Sequence, residues 1–217
     1  MRILAFSDVH GSHDTVEEIL RREAGYDIIL IGGDLTTYGT GGQAESAIRK
    51  FLAFGKPLLL VAGNMDPAPV EETMARMGVS IDARGVIIDD VGFFGVSAAP
   101  LSPLHTPNEI PEEEIRRRAD AGWKDVTPAR WRIFVPHSPP KDTRLDKIFL
   151  GSHVGSRAVR EFIQENGPDL MICGHIHEAR GEDSLGKTTL VNCGQAGKGY
   201  YVIVDVNDEI TISMRQL

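Results

Sequence analysis

The sequence predicts an α/β fold, and three observations support this class. Short apolar runs alternate with segments whose apolar residues recur at helical spacing, as from Ala44 to Leu52. Several of these runs end in a glycine followed by a polar residue, which is typical of the C-terminal edge of an open sheet. The 217 residues, 41% of them hydrophobic, suffice for one full core. We therefore predict a single domain over residues 1–217.

The first half of the chain is predicted to form three strand–helix units, whose three strands make a parallel sheet. Asp14 and Glu17 could form a capping box at the first helix. Asp66 is predicted to be the N-cap of the third helix, because Pro67 suits a first helical position. The strands are predicted at residues 2–6, 26–31 and 57–62.

The second half has shorter predicted strands and a proline-rich segment. Residues 97–130 contain five prolines, and a helix is predicted to start at Pro111. We predict that residues 98–130 could form a lid or an insert. A further helix is predicted to begin near Ser156, and the tail is predicted to be an antiparallel meander. The strands are predicted at residues 85–89, 91–96, 131–135, 169–173, 188–192, 200–206 and 209–214.

Metal-capable side chains follow the predicted strands at the point where each strand ends. A single His-x-His pair is more often solvated than metal-bound, and an aspartate in a turn can simply cap a helix. The recurrence of carboxylate, amide and imidazole groups at successive strand ends instead indicates a metal site, and such mixed ligands suit Mn, Fe, Zn or Co. The candidate ligands are Asp8, His10, Asp34, Asn64, His137, His175 and His177.

Composition excludes several classes of function. The net charge of −8 argues against long nucleic acid as a partner. Cys173 and Cys193 are too few for a disulfide framework. Without a membrane-spanning run or a signal peptide, we expect a cytoplasmic protein with no membrane partner. The expected partner is a small phosphate-ester substrate, and the sequence leaves a homo-oligomer possible.

In their spacing and order over residues 7–177, these motifs resemble the calcineurin-like metallophosphoesterase superfamily. The resemblance implies a four-layer α/β/β/α sandwich with its metal site at the C-terminal ends of the strands. It also implies two divalent ions, with Asp34 bridging them. One ion would be held by Asp8, His10 and His177, and the other by Asn64, His137 and His175.

The charges of such a centre suit hydrolysis of a phosphate ester. Two divalent cations, two aspartates and a bridging hydroxide leave a net charge near +1, which attracts an anionic phosphate. The ions can lower the pKa of bound water to about 7, so that hydroxide attacks in line. We expect hydrolysis of small phosphodiesters or nucleotides, with Mn as the ion that activates in vitro.

One residue departs from the family pattern. Members commonly have histidine after the asparagine as a proton donor, whereas this chain has Met65, and branches without that histidine tend to be phosphodiesterases. His153 lies close before a predicted helix N-terminus and could contact substrate and supply the missing proton, although a solvated loop histidine is an equal alternative. Asn64 is also predicted to contact substrate. The alternatives are a phosphomonoesterase, a nuclease or a non-catalytic interaction scaffold of the same fold.

Overall fold

The computed structural model describes residues 1–149 and 151–217, and its strands form two large sheets and one short ladder. The predicted strands are present within one or two residues of their expected ends in most cases, because buried apolar runs define them. The strands are β1 (Arg2–Phe6), β2 (Ile28–Gly32), β3 (Leu58–Val61), β4 (Gly85–Ile88), β5 (Val91–Val96), β6 (Ala99–Pro100), β7 (Glu109–Ile110), β8 (Trp131–Pro136), β9 (Leu170–Cys173), β10 (Gly181–Leu185), β11 (Thr188–Asn192), β12 (Tyr200–Val206) and β13 (Ile210–Gln216).

The order of the strands brings the early and middle parts of the chain together. The first sheet has the order β13-β12-β1-β2-β3, and the second has the order β10-β11-β9-β8-β5-β4. The neighbours β1, β2 and β3 are parallel, as predicted. The neighbours β5, β8, β9 and β11 are also parallel. Both sheets therefore have a parallel centre whose strands end at a common edge.

Three apolar clusters separate the layers. The first cluster packs three helices on the first sheet, the second lies between the two sheets, and the third packs two helices on the second sheet. This arrangement is a four-layer α/β/β/α sandwich, which confirms the expected fold. No helix in the described residues is long and apolar enough to span a bilayer. The helices are α1 (His13–Arg22), α2 (Gly41–Leu52), α3 (Ala68–Arg76), α4 (Glu112–Val126) and α5 (Arg157–Asn166).

The tail does not form the predicted meander. Strand β11 pairs with β9 in parallel, whereas β12 and β13 form a hairpin whose first strand pairs antiparallel with β1. Strand β10, which the sequence did not predict, pairs antiparallel with β11 at the edge of the second sheet. Alternating polarity predicts a strand but does not specify its partner, so the meander was wrong although its strands were right.

Two predicted helix caps are also wrong. Helix α1 begins after Ser12 without a side-chain cap, and Glu17 pairs with Lys50 instead of forming a capping box. The N-cap of α3 is Pro67, and Asp66 makes no capping bond. Local sequence supports a cap at both places, but Glu17 pairs with Lys50, and Asp66 accepts from the N–H groups of Leu35, Thr36 and Gly63 instead.

Helix α4 belongs to the sandwich itself. Its buried residues Ile115 and Ala119 pack against the second sheet together with Phe94. Within the proline-rich segment, residues 99–109 border the open edge of the sheets.

Candidate metal centre

The structure brings all seven predicted ligands together where the parallel strands of both sheets end. Three strands of the first sheet and two of the second contribute to this cluster. Both sheets are therefore needed to complete it. Asp8 and His10 follow β1, Asp34 follows β2, Asn64 follows β3, His137 follows β8, and His175 and His177 follow β9.

One group of possible ligands consists of Asp8, His10 and His177. Their ligand atoms lie within 4.8 Å of one another. The Nε2 atoms of His10 and His177 are 3.2 Å apart, and Nε2 of His177 is 3.5 Å from Oδ1 of Asp8. Two nitrogens and a carboxylate oxygen at this spacing can share one cation.

A second group consists of Asn64, His137 and His175. Oδ1 of Asn64 lies 3.0 Å from Nε2 of His137 and 2.8 Å from Nδ1 of His175. Nδ1 of His137 lies 2.8 Å from the carbonyl oxygen of Gly32. Because a carbonyl can only accept, Nδ1 carries a proton, and in the neutral ring Nε2 presents a lone pair to the centre.

Asp34 lies between the two groups. Its Oδ2 is 3.5 Å from Nε2 of His10 and 3.6 Å from Nε2 of His137. Its Oδ1 accepts a hydrogen bond of 2.7 Å from the N–H of Met65. The side chain is only 2% exposed, so the backbone bond fixes the carboxylate with one oxygen facing both groups.

The electrostatics of the cluster favour bound positive charge. Burial disfavours a charged His137, but the Asp34 carboxylate outweighs burial and raises the pKa of His137 to about 9. Burial, together with repulsion from His137, lowers the pKa of His175 to about 4. The cluster thus attracts a cation, while burial lowers the pKa of His10 as well as that of His175 and keeps both rings neutral. Neutral imidazole and ionised carboxylate are the forms that ligate metals, and binding of a metal would release the proton of His137.

The backbone of the centre is strained. Asp8, His10, Asp34 and His175 have φ angles of 53°, 49°, 50° and 68°, in the left-handed region that non-glycine residues rarely adopt. Such residues cost on the order of 1 to 3 kcal/mol each and concentrate at functional sites. The surrounding hydrogen bonds therefore hold these side chains in place against their local preference.

Two glycines of the motifs permit close approach. A Cβ atom on Gly63 would lie 2.0 Å from Oδ1 of Asp34. On Gly174 it would lie 1.9 Å from Oγ of Ser7 and 2.4 Å from Oδ2 of Asp8. Any side chain at these positions would displace the carboxylates, which explains why glycine precedes Asn64 and His175.

Asp66 supports the centre, and sequence reasoning missed it. This fully buried carboxylate accepts hydrogen bonds from the N–H groups of Leu35 (2.9 Å), Thr36 (2.7 Å) and Gly63 (3.0 Å). It thereby joins the loop after β2 to the loop after β3. Burial, and next the nearby charge of Asp34, raise the pKa of Asp66 to about 6. Its position two residues after Asn64 was the available signal, but the N-cap interpretation already explained it.

A cavity of about 580 Å³ opens over the centre. Asp8 and His137 lie beneath the others, fully buried. The upper wall is largely apolar and comes from residues 99–109 together with Ile148 and Val154. Five of the predicted ligands line the cavity: His10, Asp34, Asn64, His175 and His177.

The structure does not place His153 among the residues that line this cavity, although its neighbour Val154 is one of them. Nδ1 of His153 lies 2.6 Å from Oδ1 of the buried Asp146. Asp146 also accepts from the N–H groups of Asp142, Thr143 and Gly155, each at 3.0 Å. His153 is therefore oriented by a carboxylate in the loop beside the cavity. Its role as an acid stays a prediction.

The sandwich and its strand-end cluster of carboxylate, amide and imidazole define the metallophosphoesterase class of fold. Comparison with known proteins agrees with this class. The model of the calcineurin-like phosphoesterase family matches residues 1–179, and the chain belongs to that family.

Similar proteins span the whole chain. The protein MJ1162 of Methanocaldococcus jannaschii is 30% identical over 93% of this chain and 91% of its own length. The crystal structure of TT1561 of Thermus thermophilus is 18% identical and covers 98% of both chains with a TM-score of 0.76. Purple acid phosphatase PPD1 from yellow lupin is 14% identical, with a TM-score of 0.63 over 100% of this chain and 51% of its own. The two structural similarities show the fold.

Proposed function

We propose that this protein is a dinuclear-metal phosphohydrolase that favours small phosphodiesters or nucleotides. One observation carries the proposal: two three-residue ligand groups lie on either side of a buried carboxylate, Asp34, with an oxygen about as close to one group as to the other. A cytoplasmic location and a small phosphate-ester substrate belong to the same proposal.

The donor set suits two divalent ions such as Mn, Fe, Zn or Co, with Mn expected to activate in vitro. Bound ions would supply an activated water and neutralise the phosphate. The residues of the chain hold and orient them. Gly32 fixes the tautomer of His137, the N–H of Met65 orients Asp34, and Asn64 would contact the substrate. The ions would be held by Asp8, His10 and His177 on one side and by Asn64, His137 and His175 on the other, with Asp34 shared.

Preference for diesters is supported by Met65, which lines the cavity next to Asn64 and has no proton to donate. A missing general acid typically slows the reaction by about 10²- to 10⁴-fold when the leaving group is poor. His153 is our candidate for the donor, because Asp146 holds its ring in one orientation beside the cavity wall.

The proposal is tested with the purified protein and its Met65→His variant. We expect about two metal ions per chain by elemental analysis, and faster hydrolysis of bis(4-nitrophenyl) phosphate than of 4-nitrophenyl phosphate with added Mn. Because the 4-nitrophenyl leaving group needs no proton, the effect of Met65→His is measured on alkyl esters, where it should raise the monoester rate more than the diester rate. A metal-free, inactive protein after Mn loading would instead support the scaffold. A wild-type protein faster on the monoester, with a neutral substitution, would contradict the diester preference.

A further inference from the structure

We infer that one ester group of the substrate is apolar and binds against an apolar rim above the metal centre. The rim is defined as Leu101, Pro103, Leu104, Ile148 and Val154. This inference rests on the proposed function, since the phosphate of the same substrate would lie at the metal centre.

The rim and the metal centre belong to one cavity. Rim residues and five of the predicted ligands line the same space of about 580 Å³. That volume falls within the range of about 300 to 1,000 Å³ usual for small-molecule sites and exceeds the needs of a phosphate group alone. A phosphate at the ligands therefore leaves the apolar wall for the group attached to it.

The rim exposes apolar side chains that the sandwich does not need. Leu101 and Leu104 are 66% and 81% exposed, and Val154 is 40% exposed. Large apolar side chains clustered beside a polar site mark a binding surface more often than isolated ones do. Covering them with an apolar group would remove this surface from water and stabilise the complex.

Hydrogen bonds hold the loop of residues 101–109, which carries the two leucines of the rim, in this position. The Glu109 carboxylate accepts from the N–H and hydroxyl groups of Ser102 (2.8 and 2.7 Å) and of Thr106 (2.9 and 2.6 Å). The hydroxyl of Thr106 also accepts from Nδ2 of Asn64 at 3.1 Å. The two leucines thus lie on a loop fastened at both its start and its end and tied to a predicted metal ligand. These hydrogen bonds therefore fix the conformation of the part of the rim that contains Leu101 and Leu104.

The charges of the cavity indicate which substrates fit. None of the described residues that line it is Lys or Arg, and Glu109 places a negative charge in the wall. A second phosphate, as in a nucleoside diphosphate, would find no cation beyond those at the centre. A single phosphodiester with an alkyl or aryl group satisfies both the charge and the apolar wall.

The test measures how affinity depends on alkyl length in the Mn-loaded protein. Methyl-, butyl- and hexylphosphonate bind without being cleaved, so calorimetry reports affinity whether or not the protein turns over. Each methylene that is fully buried should tighten binding by up to about fourfold. In parallel, kcat/KM is measured for methyl and hexyl 4-nitrophenyl phosphate.

Leu101→Ser and Leu104→Ser should flatten the dependence on alkyl length, whereas Ile87→Ser is the matched control. Ile87 is 40% exposed on β4 and does not line the cavity. Equal affinity for all three phosphonates, no binding of any, or leucine variants that lose the same factor at every length would overturn the inference. A length dependence without hydrolysis of either diester would support it while overturning the proposed function.

Discussion

The metal centre and the apolar rim face the same cavity but are built differently. The centre lies at the ends of parallel strands, is mostly buried and contains strained backbone. The rim lies on loops and is exposed, and side-chain carboxylates hold it: Glu109 organises one loop and Asp146 the other. If the proposed function is right, the chemistry depends on the sandwich itself, whereas selectivity depends on loops that can vary without disturbing it.

Among the predicted effects, replacing Asp34 should have the largest, and it should act on the metal centre and not on the rim. Asp34→Asn removes the charge shared by both ligand groups, so we expect activity to fall by at least about 10³-fold. This exceeds the usual cost of removing one neutral hydrogen-bond donor from an active site. Metal content should fall with it, as measured by elemental analysis. Asp208→Asn, at a fully exposed aspartate, is the control. Two bound ions and near-normal turnover in Asp34→Asn would show that Asp34 does not bridge.

His153 tests whether the loop beside the rim takes part in the chemistry. If it donates the proton, His153→Ala should slow diesters with poor alkoxide leaving groups by about 10²-fold. Hydrolysis of 4-nitrophenyl diesters, whose leaving group needs no proton, should hardly change. Equal losses on both substrates would indicate a role in binding, and no loss on either would make His153 an ordinary surface residue.

Asp66 and Asp146 form a matched pair, because both are fully buried aspartates that accept several N–H bonds. Asp66 joins the loops that carry Asp34 and Asn64, so Asp66→Asn should weaken metal affinity by about 10- to 100-fold, as other indirect supports of ligands do. Asp146→Asn should leave metal affinity unchanged and reduce the dependence of binding on alkyl length. Metal titration and alkylphosphonate calorimetry on both variants decide this. If Asp66→Asn and Asp146→Asn bind metal with equal affinity, Asp66 does not position the ligands.

The sequence predicted the centre better than the rim, for a physical reason. Buried strands have a strong apolar pattern, and the parallel strands of one sheet end at one edge, so residues such as Asp34 and Asn64 could be brought together by reasoning alone. Loop side chains have no periodicity, and nothing in the pattern at residues 98–130 showed that Leu101 and Leu104 would face the cavity. Their exposure depends on hydrogen bonds to Glu109, which lies several residues away.

Asp66 and the tail failed for another reason. A local explanation as an N-cap was sufficient for Asp66, so its two long-range backbone donors, Leu35 and Thr36, could not be anticipated. The tail strands were correctly found, but pairing between β12 and β1 joins the two ends of the chain. Patterns within a segment carry no information about such partners.

The smallest expected effect is a pH-dependent contribution of Glu109, which holds the rim, to the stability of the protein. Partial burial alone would raise the pKa of Glu109, but donors from Thr106 and Ser102 outweigh it and lower the pKa to about 2, from an ordinary value of 4.5. Because the folded-state pKa is depressed, the stabilisation is complete above pH 4.5 and is lost as the pH falls toward 2.

Glu109→Gln should therefore lower the free energy of unfolding by about 1 kcal/mol at neutral pH, a charge-assisted contribution reduced by solvent screening. The difference from the wild type should shrink as the pH falls from 4.5 toward 2, as measured by urea unfolding at each pH. At neutral pH the variant should retain its metal ions but bind hexylphosphonate less selectively over methylphosphonate, because the leucines lose their fixed position. A difference in stability that is constant with pH would show that the carboxylate charge does not hold the rim.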